Sequence, residues 1–349
     1  MRVLVVDDSA FMRRAISTML NSDPEIQVVG LAKNGVEAIE FAKKLKPDVI
    51  TLDIEMPEMD GLTALRRIMR ESPTQVLMVS SLTTEGSHAS LQALRLGAAD
   101  VLAKEMSQIS LNVSAMHEDL LQRIKALANS TRFKHTQDQA DITTVDQPPS
   151  FRPGQFDVIC IGSSTGGPPV LETIIGSLKA EMTTPIIVAQ HMPEIFTRSM
   201  SERLDEISGM HVVHAENGMP IQKSTVYVAP GGHHTHLHKD GLAKWSLRVN
   251  DEPKKAIYKP SVTALFESAA QATGSRSLAI VLTGIGDDGL LGARKLHETG
   301  GIILAQSQET CVVYGMPKAV TQAAITAASL CPTDITKSLL SLVKPALAA

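Results

Sequence analysis

The chain has 349 residues, 43% of them hydrophobic and 20% charged, with a net charge of −4, a make-up suited to a globular protein with two domains. Neither half carries a basic surplus and no apolar run approaches the ~18 residues of a membrane span, so nucleic-acid binding and membrane insertion are not expected. Three scattered cysteines argue against a disulfide framework, and acidic residues as early as Asp7 and Asp8 leave no room for a secretory leader, so a cytoplasmic location is expected.

From the N-terminus, short apolar runs alternate with helix-period segments. Val3–Val6, Val28–Leu31, Val49–Leu52, Val76–Val79 and Asp100–Ala103 read as strands, separated by helical patterns at Phe11–Leu20, Val36–Leu45, Leu62–Met69 and Ser87–Leu96. Repeated βα units predict a parallel sheet covered by helices on both faces. Polar residues fall at the carboxyl ends of the strands: Asp7-Asp8, Asp53, Ser80-Ser81 and Lys104. Carboxylates gathered there repel by roughly 4 kcal/mol for a pair about 4 Å apart at an effective dielectric near 20. A divalent cation with oxygen ligands offsets that repulsion, and a lysine opposite suits a phosphoryl group. Singly, the features have plainer readings, with Asp8-Ser9 as a helix cap and Asp60-Gly61 as a turn.

The order Val-Val-Asp-Asp-Ser, Leu-Asp-Ile-Glu-Met-Pro-Glu-Met-Asp-Gly-Leu, Met-Val-Ser-Ser and then Lys resembles the receiver domain of response regulators across residues 1–106. The resemblance implies a flavodoxin-like fold with a five-stranded parallel sheet, and Asp53 as acceptor of a phosphoryl group from a histidine kinase. It implies Mg²⁺ held by Asp8, Asp53 and the Glu55 carbonyl, with Asp7 in the outer shell, Ser80 as the switch hydroxyl and Lys104 against the phosphoryl oxygens. Glu105 stands where receivers usually carry proline.

Leu111–Leu127 reads as the receiver's closing helix, giving a first domain of residues 1–128. Residues 129–155, polar and proline-bearing, read as a linker. Residues 156–349 form the second domain. Its strand-like runs are Val158–Ile161, Ile186–Ala189, Val212-Val213, Val226–Ala229, Leu278–Leu282 and Ile302–Leu304, with helical patterns at Leu171–Leu178, Val262–Ala272 and Leu290–Glu298. This predicts a doubly wound α/β catalytic domain with extra hairpin strands around Gly231–Val249.

Gly-rich or Pro-bearing turns end these strands at Gly162–Gly167, Gln190–Pro193 and Thr283–Gly289, the end of an α/β sheet where ligands bind. Ser164, His191 and Asp288 therefore become a candidate nucleophile, base and orienting acid. Ser163 competes for the first role and Asp287 for the last. Backbone N–H groups of the glycine turns could stabilise an oxyanion, each worth about 10²–10³ in rate. The plainer readings are a ligand-binding turn, a helix entry at His191-Met192-Pro193 and a helix cap at Asp287-Asp288. On a strand, His234, His236 and His238 would share a face, but the spacing matches no familiar metal site and adventitious binding fits better.

Ile-Gly-Ser-Ser-Thr-Gly-Gly, Gln-His-Met-Pro, Tyr-Val-Ala-Pro-Gly-Gly-His-His, Lys-Pro-Ser-Val, Leu-Thr-Gly-Ile-Gly-Asp-Asp-Gly and Val-Val-Tyr-Gly-Met-Pro together resemble the chemotaxis receptor methylesterases of the CheB family. The resemblance implies hydrolysis of glutamate methyl esters on methyl-accepting chemoreceptors, with glutamine deamidation at the same site. It assigns Ser164, His191 and Asp288 as the triad and the Thr165 and Ile285 N–H groups as oxyanion donors, with no cofactor for the ester chemistry. It also implies that the unphosphorylated receiver covers the catalytic cleft. Departures are Ile285 for methionine, Asp287 for asparagine and Thr263 for an acidic residue. A rival reading is a receiver joined to a non-catalytic adaptor.

Overall fold

The structure, a computed structural model, describes residues 1–104, 113–130, 148–241 and 244–343, with side chains of 113–116 excepted. It divides into two compact units, Met1–Gln139 and Ala140–Ala349.

In the first unit β1 (Arg2–Val6), α1 (Ala10–Asn21), β2 (Gln27–Ala32), α2 (Gly35–Leu45), β3 (Val49–Asp53), α3 (Gly61–Glu71), β4 (Gln75–Ser81), α4 (Thr84–Arg95), β5 (Asp100–Lys104) and α5 (Val113–Ala128) follow one another. The five strands pair in parallel in the order β2-β1-β3-β4-β5, the flavodoxin-like order expected from the sequence. Local chemistry explains the elements. The Ser9 hydroxyl caps α1 by accepting the Met12 N–H, and Met12, Ile16 and Leu20, spaced four apart, bury its inner stripe. Asp60 caps α3 through the Thr63 N–H at 2.8 Å. The plainer capping readings of both places therefore hold beside any functional one. Every residue of β3 is buried, as a central strand covered on both faces requires. Glu105 lies outside the described residues.

The second unit contains β6 (Val158–Ser163), α6 (Gly167–Ile175), β7 (Ile186–Gln190), α7 (Glu194–Ile207), β8 (His211–His214), β9 (Thr225–Val228), β10 (His234–Lys239), β11 (Trp245–Asn250), α8 (Val262–Ala272), β12 (Ser277–Val281), α9 (Leu290–Glu298), β13 (Ile302–Gln306), α10 (Met316–Gln322), β14 (Ala328–Leu330) and α11 (Pro332–Leu340). Seven strands form a parallel sheet in the order β14-β13-β12-β6-β7-β9-β8, and β10 and β11 form an antiparallel hairpin. Val262, Leu265, Phe266 and Ala269 of α8 pack with Ala293 and Leu296 of α9 over Val158, Cys160, Ala279 and Val281 of the sheet. The chain winds one way from β6 and the other way from β12. The switch between those neighbouring strands opens a crevice at their carboxyl ends.

Two boundaries differ from the sequence reading. Helix α6 starts at Gly167 rather than Leu171, because Pro168 and Pro169 occupy its first turn, where a missing N–H costs nothing. The predicted linker is largely outside the described residues, but its end is packed. Phe151 is buried and sets its ring edge-on to Phe156 at 5.0 Å, and its N–H donates to Ser341 Oγ at 2.7 Å. An aromatic in a polar, proline-bearing stretch gives no periodic signal, so that docking was invisible in the sequence. The pattern also missed α7, α10, β14 and α11.

Candidate functional site

Strand order brings the three turns of the second unit together. Ser163 pairs with Gln190 across β6 and β7, and Gly162 pairs with Val281 across β6 and β12. Ser164, His191 and the 283–289 turn thus follow adjacent strands. Two backbone bonds stitch the turns: His191 N–H to the Ser163 carbonyl at 3.1 Å and Ser164 N–H to the Thr283 carbonyl at 3.0 Å.

Ser163 and Ser164 point to different fates. The Ser163 hydroxyl donates to Gln190 Oε1 at 2.6 Å, and Gln190 Nε2 donates to the Ser164 carbonyl at 2.9 Å. Gln190 therefore consumes the Ser163 hydroxyl while clamping the peptide of Ser164. Gly166 takes φ 78 as it leads into α6, a left-handed turn that suits glycine. Between Asp287 and Asp288 the geometry is one-sided. His191 Nε2 lies 2.9 Å from Asp288 Oδ2, whereas Asp287 is exposed.

Asp288 is cradled by the start of α8. Its carboxylate accepts Val262 N–H at 2.7 Å, Thr263 N–H at 2.9 Å and the Ser261 hydroxyl at 3.1 Å, plus its neighbour Gly289 N–H at 2.9 Å. Burial opposes the charge, but the His191 bond and charge and the Thr263 donors outweigh it and hold the acid well below the ordinary carboxylate range. The helix dipole at its positive end works in the same direction. Thr263, noted in the sequence as standing where an acid is frequent, accepts the Gly289 N–H through its hydroxyl oxygen at 2.8 Å, and places no second carboxylate in the cradle.

The expected hydrogen bond from Ser164 to His191 is not formed. His191 Nδ1, the ring nitrogen left over by Asp288, is buried and has no hydrogen-bond partner. Catalytic hydrogen bonds commonly tighten only when substrate is present. For the oxyanion donors, a β-carbon on Gly284 would stand 2.8 Å from Ser164 Cβ, so the turn runs against the nucleophile. Gly284 N–H is spent on the Val313 carbonyl at 3.0 Å, while Ile285 N–H meets no acceptor among the described residues. The peptide carrying the other expected donor, the Thr165 N–H, is held through its Ser164 carbonyl by Gln190 Nε2, and the Thr283 hydroxyl donates to the next carbonyl, that of Thr165, at 2.9 Å.

In the first unit Asp7, Asp8 and Asp53 gather so that one oxygen of each lies within 4.8 Å of the others. Lys104 Nζ bonds Asp53 Oδ1 at 2.8 Å and Asp7 Oδ2 at 2.9 Å. Burial, with the Asp7 charge beside it, keeps Asp53 above the ordinary carboxylate range despite Lys104. Lys104 itself loses from burial but gains more from the two acids, and stays above the usual lysine range. A cavity beside them is lined by Asp8, Asp53, Ile54, Glu55, Ser81 and Lys104. Such an all-oxygen acidic set suits a hard divalent cation such as Mg²⁺. Ser80 is absent from that lining. Its buried hydroxyl turns instead to the Gly86 carbonyl at 3.3 Å.

The histidines of β10 do not assemble. His234 Nδ1 accepts the Ser261 N–H at 3.1 Å, His236 Nε2 meets the Glu252 carbonyl at 2.9 Å, and His238 meets Arg248. Neighbouring His233 takes Asp251 at 2.9 Å. Among the described residues only the Asp7, Asp8 and Asp53 group has metal-ligating geometry. The sequence reading had no role for Gln190, Ser261 or Tyr258, whose ring stacks on His191. Ser261, heading an apolar helical run, carried a capping signal that could have flagged it.

Fold and site together describe a two-unit protein, a receiver-type acidic pocket in one and a serine, histidine and aspartate gathered at a sheet switch point in the other. The chain belongs to the CheB methylesterase family, whose model matches residues 159–339, and the response regulator receiver domain model matches residues 3–115. It is 42% identical to the protein-glutamate methylesterase/protein-glutamine glutaminase 1 of Oleidesulfovibrio alaskensis, over 98% of this chain and 99% of that one. It is 43% identical to the protein-glutamate methylesterase/protein-glutamine glutaminase of Thermotoga maritima, over 91% and 92%. The crystal structure of the Thermotoga maritima CheB methylesterase catalytic domain covers 54% of this chain and 99% of its own, at 39% identity and a TM-score of 0.52. Among the described residues no helix is long and apolar enough to cross a membrane.

Proposed function

We propose that this protein is a cytoplasmic protein-glutamate methylesterase that removes γ-methyl esters from glutamates of methyl-accepting chemoreceptors, and deamidates receptor glutamines, under the control of phosphorylation at Asp53. The observation that carries the enzyme reading is the bond between His191 Nε2 and Asp288 at 2.9 Å beside the clamped Ser164, within a family of methylesterases. His191 Nδ1 takes the Ser164 proton as Oγ attacks the ester carbonyl. Asp288, ionised in its cradle, fixes the tautomer and stabilises the imidazolium that forms. The N–H groups of Thr165 and Ile285 receive the oxyanion. His191 returns the proton to the departing methoxide, methanol leaves, and a glutamyl ester on Ser164 remains. Water, activated by the same imidazole, then releases the glutamate carboxylate. An amide enters the same sequence and leaves as ammonia.

In the receiver, Asp53 would accept the phosphoryl group from a chemotaxis histidine kinase. Asp8, Asp53 and the Glu55 carbonyl would hold Mg²⁺, which would neutralise the acidic group and the incoming phosphoryl, with Asp7 behind. Lys104 would exchange its Asp53 bond for a phosphoryl oxygen, and Ser80 would leave the Gly86 carbonyl to follow it. Methanol release from methylated receptor membranes, with and without a small acyl phosphate as phosphodonor, tests both parts. No methanol from wild type sinks the esterase, and a rate unmoved by phosphodonor sinks the control.

A further inference from the structure

Tyr258 precedes α8, and its ring lies flat on the His191 imidazole, with centroids 4.4 Å apart and planes within 9°. Its hydroxyl reaches the glycine turn, 3.7 Å from the place a β-carbon on Gly286 would take. One end of the imidazole is tied to Asp288, but a single hydrogen bond fixes an atom, not a plane. The second torsion of histidine is broad and supplies little restraint of its own. The other ring nitrogen, Nδ1, is buried without a partner, so no second bond sets the direction in which it points. The flat surface against the ring therefore limits its rotation.

We propose that Tyr258 is a positioning residue for the ester hydrolysis, holding the imidazole plane so that Nδ1 is aimed at Ser164 and closing one ring face to water. The inference rests on the methylesterase reading. It assigns the work to the aromatic face, because stacking constrains a plane and also favours the imidazolium formed as serine loses its proton. The hydroxyl is secondary. Tyr258 touches no reacting atom in this scheme and acts through His191.

The test measures methanol release by the full-length protein on methylated receptor membranes for Tyr258→Phe, Tyr258→Leu and Tyr258→Met, with thermal midpoints taken alongside. Misaiming a catalytic group by about 1 Å can cost on the order of 10²-fold. Tyr258→Leu and Tyr258→Met, apolar but smaller and not flat, are expected to lose roughly 10- to 100-fold in kcat with KM within about twofold. Tyr258→Phe is expected to keep kcat within roughly threefold of wild type. Equal rates for Phe, Leu and Met overturn the proposal, as does a rise in KM at constant kcat, which would make Tyr258 a substrate contact. Should Leu fail to fold, the comparison of Met with Phe decides. If wild type releases methanol and Ser164→Ala does not, a flat result at Tyr258 removes only this inference. If neither distinction appears, the esterase reading falls first.

Discussion

Two largely buried aspartates stand at the carboxyl ends of parallel sheets in the two units, and their surroundings push them in opposite directions. Asp288 is met by backbone N–H groups at the start of a helix, a serine hydroxyl and an imidazole, and is held well below the ordinary range. Asp53 is met by burial, by Asp7 and Asp8, and by one lysine shared with Asp7, and is held above it. Burial does not account for the difference, since both side chains are at most 10% exposed. Burial raises both: at Asp288 the imidazole and the N–H and hydroxyl donors outweigh it, whereas at Asp53 Lys104 and the Ile54 N–H do not, and the Asp7 charge adds to it. A satisfied carboxylate suits a group that must stay charged through a proton relay. A frustrated one suits a group that gains by receiving a cation and a phosphoryl group.

The largest expected break in that comparison is at the serines. Ser164→Ala should lower methanol release by at least about 10⁴-fold, whereas Ser163→Ala, which loses only a clamp to Gln190, should cost no more than about tenfold. A comparable loss at both would merge the two roles. Next come the acids: Asp288→Asn should cost on the order of 10⁴ in kcat, because the amide favours the wrong histidine tautomer. Asp287→Asn should stay within about twofold, as an exposed acid away from the ring; the reverse order would transfer the role.

Smaller effects appear in stability, with opposite signs for the two acids. A folded pKa below the unfolded value of about 3.9 means that Asp288 contributes stability above that pH, and that the contribution fades as pH falls through the folded value. Asp288→Asn should therefore lower the thermal midpoint at pH 7, with the gap narrowing below about pH 4. Asp53, raised above its unfolded value, costs stability when ionised, and the cost is relieved on acidification. Asp53→Asn should thus raise the midpoint at pH 7, while Lys104 keeps Asp7. It should also abolish any response to phosphodonor. Addition of Mg²⁺ should raise the wild-type midpoint and do less for Asp53→Asn. A midpoint lowered at both positions would end the contrast.

Most strands were legible because each is a short apolar run ended by a turn residue, and the three turns stood out by their glycines. The choice between Ser163 and Ser164 was not legible, nor that between Asp287 and Asp288. Neighbours in sequence differ only in which way the side chain leaves the strand end, and that depends on Gln190 and on the start of α8, 25 or more residues away. Tyr258 gave no signal at all, since its partner lies in the turn after β7, far away along the chain.

By itself, then, the sequence determined two α/β units, an acidic set at the strand ends of the first and a short roll of chemistry-bearing turns in the second. Those features are written in local periodicity, in glycine and in residue type. The tertiary structure alone decided which hydroxyl is spent on a clamp, which carboxylate is kept charged, and which ring lies on the imidazole. Each of those is a contact between distant segments, set by the order in which parallel strands pack rather than by any neighbour along the chain.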